Sequence, residues 1–374
     1  MNDVSSRLDL VLSRAVREQR VVGAIARVVR RGEVIYRRAV GLADREAGRA
    51  MTPETPHRLA SLTKPVTSVA ALALVERGVL ALEAPVTRWL PDFRPRFGEA
   101  TPAITLHQLL THTSGLGYGF LEAPDGPYHR ARVSDGLDQP GLSIDENLRR
   151  LAGVPLRASP GTEFHYSLSS DVLGAVIERA TGARLPEVIA ELVTGPLGLE
   201  TLGFRALEGL AVPYAEGKPP FVIREDEPVT FFGPFAVSFA PRRALVPSSY
   251  ASGGAGMTGT IDEFGKLLEA LRMAALPSLS RASIETMWSD RIAPIDSPTL
   301  GEGYGYGYGA SVLRDPVAAR SPLSRGAVRW GGAYGHSWFV DRASETSSVL
   351  LTNTAFEGMT GRLRDEVEEA VIGG

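Results

Sequence analysis

The sequence predicts a mixed α/β protein in two lobes, with a mostly helical lobe inserted into one that combines strands and helices. Three observations carry that expectation. Residues 4–78 read as helix, hairpin, helix. Between Pro85 and Pro241 the pattern changes to helical patches separated by loops rich in glycine and proline, with few regular strands. After Gly256 the strand patterns return. The expected division is residues 1–84 with 242–374 as one discontinuous α/β lobe and 85–241 as the helical lobe; 374 residues can bury a substantial core.

The elements follow in order. Val4, Leu8, Val11, Leu12 and Ala15 form one stripe of an amphipathic helix. Val22–Arg30 and Glu33–Gly41 are β-rich runs around Arg31-Gly32, a hairpin with glycine at the turn. A further helix is expected from about Ser61, since Pro65 fits a first turn whose N–H groups have no intrahelical partner. Val66, Val69, Ala70, Ala73 and Leu74 continue it at helical spacing to Gly78. Leu106–Thr111, Leu148–Leu151, Ser169–Thr181 and Leu185–Thr194 are the helical patches of the second lobe. Gly209–Pro247 is the least regular stretch, and its Phe231, Phe232, Phe235 and Phe239 either pack loops onto the core or line an apolar cleft. Ile261–Met273 and Ser283–Met287 return to helix. Tyr304, Tyr306 and Tyr308 alternate with glycine, which predicts a strand with the rings on one face. Val328–Trp330, Ser337–Val340 and Ser347–Thr352 are the last strands, and Leu363, Val367, Ala370 and Val371 mark a closing helix.

Composition excludes several classes of function. A net charge of −3 gives no electrostatic footprint for nucleic acid or a membrane surface. The absence of cysteine rules out disulfides, thiolate metal sites and a cysteine nucleophile together. The N-terminal residues carry Arg7, Asp9, Arg14 and Arg17 without an apolar core, so no signal peptide is expected, and no 18-residue apolar run exists. A cytoplasmic protein is the resulting expectation. No His-Glu-x-x-His or P-loop is present and neither a metal nor another cofactor is expected, while the absence of a Gly-x-Ser-x-Gly elbow argues against an α/β-hydrolase fold.

Ser61 and Lys64 lie three residues apart, nearly one helical turn, so their polar ends can meet on one face. A serine there is a nucleophile only if a neighbouring base takes its proton. Lys64 can be that base if desolvation or nearby positive charge lowers its pKa. Ser-x-x-Lys alone is a weak signal, because chance supplies it in most chains of this length. Lysine is scarce here, however: Lys64, Lys218 and Lys266 stand against 37 arginines, which cannot serve as bases.

Two further stretches supply what acyl transfer needs besides a nucleophile, a proton carrier and donors for an oxyanion. Phe164-His165-Tyr166-Ser167-Leu168 places Tyr166 at a loop–helix junction, and Trp330-Gly331-Gly332-Ala333-Tyr334-Gly335-His336 sets close-approach glycines beside an expected edge strand.

With Leu109-Leu110-Thr111-His112-Thr113-Ser114-Gly115-Leu116 and Ser252-Gly253-Gly254-Ala255-Gly256-Met257, these stretches resemble the serine β-lactamase and penicillin-binding-protein superfamily. Within it the chain is most similar to the class C β-lactamases and family VIII carboxylesterases. The resemblance implies an α/β (α+β) fold of the β-lactamase/transpeptidase type, an antiparallel sheet flanked by helices plus a helical lobe, with the active site in the cleft between lobes. It implies Ser61 as acylated nucleophile, Lys64 and Tyr166 as a coupled acid–base pair, and the backbone N–H groups of Ser61 and Ala333 as oxyanion hole. His112 invites a triad reading, but its stretch is a structural signature in the family. His336 is expected to give hydrogen-bonding support.

Departures from the family pattern bear on substrate. The lactamases have Lys-Thr-Gly where this chain has Trp330-Gly331-Gly332, and asparagine where it has Leu168. Losing a charge-assisted contact to a carboxylate removes about 1.5–3 kcal/mol. The expected activity is therefore hydrolysis of short- to medium-chain carboxylic esters, small molecules met by Trp330, Gly331, Gly332 and Leu168. An acyltransferase, a weak β-lactamase and a penicillin-binding sensor that stalls after acylation are the alternatives.

Overall fold

The computed structural model describes residues 4–225 and 227–373. Residues 1–3, Asp226 and Gly374 of the expected lobes lie outside the described residues. One antiparallel sheet collects strands from both ends of the chain: β1 (Gly23–Arg30), β2 (Glu33–Asp44), β3 (Arg49–Ala50), β4 (Tyr304–Tyr306), β5 (Ser311–Leu313), β6 (Val328–Gly332), β7 (His336–Asp341) and β8 (Thr346–Thr352). Its order is β4-β5-β6-β7-β8-β1-β2-β3. The ends of the chain meet where β1 pairs with β8, from Ala24 opposite Thr352 to Arg30 opposite Thr346. The β1–β2 turn has Arg31 at φ 54° and Gly32 at φ 82°, the two positive values that a tight hairpin with matching twist requires.

The main helices are α1 (Val4–Arg17), α2 (Thr63–Glu76), α3 (Ser169–Thr181), α4 (Ile261–Arg272) and α5 (Arg362–Ile372). α1 and α5 cover one face of the sheet, where Leu8 and Leu12 join Leu313, Phe339, Leu350, Leu363 and Val367. On the other face Phe264 of α4 meets Trp338 edge to face at 6.2 Å. α2 is buried from Thr63 through Leu74, so it is the central helix of the molecule and carries no polar face.

Two expectations need correction. The stretch Gly209–Pro247 contains two short ribbons, Tyr214–Ala215 with Phe221–Val222 and Glu227–Phe232 with Phe235–Phe239. The second turns at Gly233, φ 53°, and buries Val229, Val237 and Phe239, an alternation that its loop-like composition conceals. The tyrosines do not share one environment. β4 ends at Tyr306, because the Gly307 and Tyr308 N–H groups leave the ladder for Ala310 O and Met287 O. Tyr304 packs towards α1 and α5, Tyr306 against Phe164 and Trp330, and the Tyr308 hydroxyl lies 2.9 Å from His107 Nδ1.

Leu12 is fully buried between α1 and the sheet. Leu12→Ala is expected to lower unfolding free energy in urea by about 2–5 kcal/mol without changing the chemistry of the distant cleft.

Candidate active site

The chain enters the nucleophile through a strained turn. Ala60 is buried at φ 47°, a left-handed conformation that costs a non-glycine residue roughly 1–2 kcal/mol. A single 3-10 turn, Ala60–Leu62, then runs into α2 at Thr63, so the α-helix proper begins two residues after Ser61. Lys64 Nζ lies 3.1 Å from Ser61 Oγ and donates to the Gly254 carbonyl at 2.9 Å. The Tyr166 hydroxyl donates to Ser61 Oγ at 2.7 Å, and the Trp330 indole N–H donates to the Tyr166 oxygen at 3.3 Å. Lys64 Nζ stands 4.6 Å from the Tyr166 ring centre and 5.4 Å from that of Tyr118.

The Trp330-Gly331-Gly332 strand touches the segment leading to Ser61. A methyl group at Gly332 would stand 2.7 Å from Leu59 O and 3.0 Å from Leu62 Cδ1, so only glycine permits that approach. Ser61 and Ala333 then line the same cavity. His336 lies outside the cavity lining and is buried. Its Nε2–H donates to Arg58 O at 2.8 Å while Nδ1 accepts from Thr352 N–H at 3.3 Å, which ties β7 to the same segment. Burial pushes its pKa down to about 4. His112 Nδ1 accepts from Ser167 N–H at 3.2 Å, and burial together with the Lys64 charge holds its pKa well below the usual range. It packs on Tyr166, ring centres 5.0 Å apart, rather than bonding Ser61.

The cavity holds about 920 Å³. Phe231, Phe232 and Phe235 line it from the second ribbon, so the cleft alternative applies to three of the four phenylalanines, while Phe239 is fully buried against Tyr334. Trp330 and Gly331 also line it. Leu168 does not: it is fully buried at the start of α3, away from the cavity, because its N–H binds Gly117 O. Tyr118, Phe120 and Phe356 line the cavity unforeseen by the sequence reading. Tyr118 lies two residues beyond the Ser114-Gly115-Leu116 stretch, the one signal that pointed near it. Arg329 and Arg364 reach the cavity edge already paired, with Glu368 at 3.0 Å and Asp365 at 2.8 Å. Among the described residues no group of three His, Cys, Asp or Glu side chains is placed to hold a metal ion.

Comparison with known proteins gives a consistent picture. The family model described as Beta-lactamase matches residues 8–371. Esterase EstB of Burkholderia gladioli is 50% identical over 374 residues, covering 98% of this chain and 95% of the relative. The solved structure of EstCE1, described as a hydrolase with promiscuous acyltransferase activity, superposes with a TM-score of 0.96 at 41% identity, covering 99% and 98% of the two chains. Monacolin J acid methylbutanoyltransferase of Aspergillus terreus is 32% identical over 219 residues, 53% of this chain and 51% of that protein.

The close contact at Gly332 predicts that Gly332→Ala displaces β6 from Ser61 and lowers kcat/KM for an ester on the order of 10²-fold. Steady-state kinetics beside a thermal melt will separate this from general unfolding. His336 and His57, the latter pushed by burial to about 3, are both held neutral in the folded protein. Their folded pKa values lie below the ordinary 6.5, so the unfolded chain binds more protons as pH falls. The stability they contribute is complete above about pH 6.5 and declines towards pH 4. Urea midpoints measured across that window should fall steadily, and a flat profile would contradict the neutral-histidine arrangement.

Proposed function

The chain belongs to the β-lactamase family, and from that premise we propose that it is a serine carboxylesterase acting through a Ser61 acyl-enzyme. The observation that carries this reading is Ser61 Oγ held between Lys64 Nζ and the Tyr166 hydroxyl at 3.1 and 2.7 Å, opening on an aromatic cavity. Ser61 Oγ attacks the ester carbonyl carbon as its proton passes to the Lys64/Tyr166 pair. The oxyanion is met by the backbone N–H groups of Ser61 and Ala333. The C–O bond to the alcohol then breaks, and the alcohol leaves with the proton from the pair. Water attacks the acyl carbon next, gives its proton to the same pair, and releases the acid as Ser61 recovers its hydrogen.

The substrates in this reading are small neutral esters bound in the cleft between the two lobes. Trp330 replaces a cation with an indole whose N–H is engaged by Tyr166, which leaves no lysine there for a β-lactam carboxylate. EstB is named an esterase, and EstCE1 is described as a hydrolase that also transfers acyl groups. Transfer of the same acyl group to an alcohol in place of water is therefore the second reading, and it uses every residue named.

The test is turnover of p-nitrophenyl butyrate beside nitrocefin for the wild type and Ser61→Ala, with and without an added alcohol. Ester turnover should fall on the order of 10³-fold or more in the variant, and nitrocefin should be cleaved slowly or not at all. Product ester in the presence of the alcohol favours transfer. Ester turnover surviving in Ser61→Ala would overturn the assignment of the site.

A further inference from the structure

Three arginines and one glutamate line the cleft, and the glutamate stands apart. Arg157 lies 3.5 Å from Glu122, Arg329 3.0 Å from Glu368 and Arg364 2.8 Å from Asp365, so each guanidinium has a carboxylate at hand. Glu216 lines the same cavity, yet among the described residues it has neither an ion pair nor a hydrogen bond. Its side chain is partly exposed, so a ligand can reach it. Burial and the nearby Glu357 carboxylate push its pKa up, while Arg20 is bound to Glu357 at 2.5 Å. No cation of the protein answers the charge of Glu216 among the described residues.

The fold sets this carboxylate among rings. Tyr214 pairs in parallel with Thr354, its N–H donating to Asn353 O and its carbonyl accepting from Ala355 N–H, both at 2.7 Å. Two residues beyond that pair each segment reaches the cavity, one at Glu216 and the other at Phe356. The Phe356 ring centre is 4.8 Å from that of Phe231, which is 4.7 Å from Phe232, itself 4.9 Å from Phe235. All four rings line the cavity. An aromatic face carries negative potential and attracts a cation, and several rings with a carboxylate beside them suit a quaternary ammonium.

We propose that Glu216 and these rings form a subsite for a cationic group at the end of the acyl chain, so that esters of acids carrying a quaternary ammonium are better substrates than their neutral isosteres. The subsite rests on the Ser61 acyl-enzyme reading, leaves its chemical steps as they stand, and extends the substrate class beyond neutral esters. The acyl side follows from the leaving group. The alcohol departs where the Tyr166 hydroxyl can return a proton, and Tyr166 packs against Trp330 with ring centres 5.1 Å apart. Ala333, whose N–H meets the oxyanion in that scheme, packs instead in the cluster of Ala215, Phe231 and Phe356. The acyl chain therefore runs towards the ribbon. There the methyl groups of an ammonium lie on rings while Glu216 offsets its charge, and a substrate carboxylate at the same place would meet a like charge.

The test is the ratio of kcat/KM for p-nitrophenyl 4-(trimethylammonio)butyrate to that for its carbon isostere, p-nitrophenyl 5,5-dimethylhexanoate, with a second pair two methylenes longer. Taking the ratio within each protein cancels any general loss of activity. In the wild type the cationic ester should be favoured roughly fivefold in at least one pair, less so as salt is raised. Glu216→Gln should lower that ratio roughly threefold or more, the scale of a partly exposed charge pair, and Glu216→Lys should bring it below one. A wild-type ratio at or below one in both pairs, or one that Glu216→Gln leaves unmoved, would overturn the proposal. Calorimetric binding of hexyltrimethylammonium to Ser61→Ala reads the subsite without the acyl-enzyme: affinity that drops when Glu216→Gln is added supports it, and equal affinity overturns it. Ester turnover persisting in Ser61→Ala would instead defeat the underlying reading, independently of either ratio.

Discussion

Burying the ammonium of Lys64 is the constraint on which the active-site region depends. An isolated charge taken from water is far too costly to keep, so every direction around Nζ must offer compensation. Ser61 Oγ, the Gly254 carbonyl and the faces of Tyr118 and Tyr166 supply it. That shell is found at the head of a helix surrounded by core, since α2 is buried from Thr63 to Leu74. A lysine is the cation that fits, being compact and able to lose its proton, in a chain that otherwise uses arginine for positive charge.

A second constraint follows from bringing a strand edge to the nucleophile. The backbone of β6 meets the Leu59–Ser61 segment so closely that Gly332 has no room for a Cβ, and Ala60 takes a left-handed conformation to turn Ser61 into the gap. The strain is small beside what holds it. His336 fixes the Arg58 carbonyl from β7, and the adjacent Leu59 N–H binds Met257 O. Neutral histidines thus work as structural staples here, which is why neither His112 nor His336 reaches Ser61.

What the sequence made legible follows from the range of each signal. The α1 stripe, the Arg31-Gly32 turn and the Ser61–Lys64 spacing are local, and local geometry alone determines them. The meeting of Tyr166 with Ser61 across 105 positions was accessible only because five separated stretches together resembled one family. Failures occurred where tertiary packing decides. Period-two alternation put Tyr304, Tyr306 and Tyr308 on one face, but it does not say that hydrogen bonds to Ala310 and Met287 end the strand at Tyr306. Leu168 stood for a substrate contact by position in its motif, whereas the turn into α3 directs it to the core. The Phe231–Phe235 ribbon reads as loop because Gly233-Pro234 interrupts it, although cross-strand pairing restores the alternation.

Among neutral and anionic substrates, discrimination in this cleft is then a matter of apolar shape more than of charge. Each of the three guanidinium groups that line it has a carboxylate partner: Arg329 is bound to the buried Glu368, Arg364 to Asp365, and Arg157 lies 3.5 Å from Glu122. A substrate carboxylate arriving there would have to compete with partners already at hydrogen-bond distance, for little net gain. Tyr118, Phe120, Phe231, Phe232 and Phe235 line the same cavity and offer rings to an acyl chain. Each buried methylene contributes about 0.8 kcal/mol, so lengthening a chain along these rings strengthens binding until it meets a wall. With about 920 Å³ available, volume does not stop a short chain from growing. The wall that such a chain meets is built by Phe231, Phe232 and Phe235 of the ribbon together with Leu300, Phe356 and Met359, which line the same cavity from other parts of the chain.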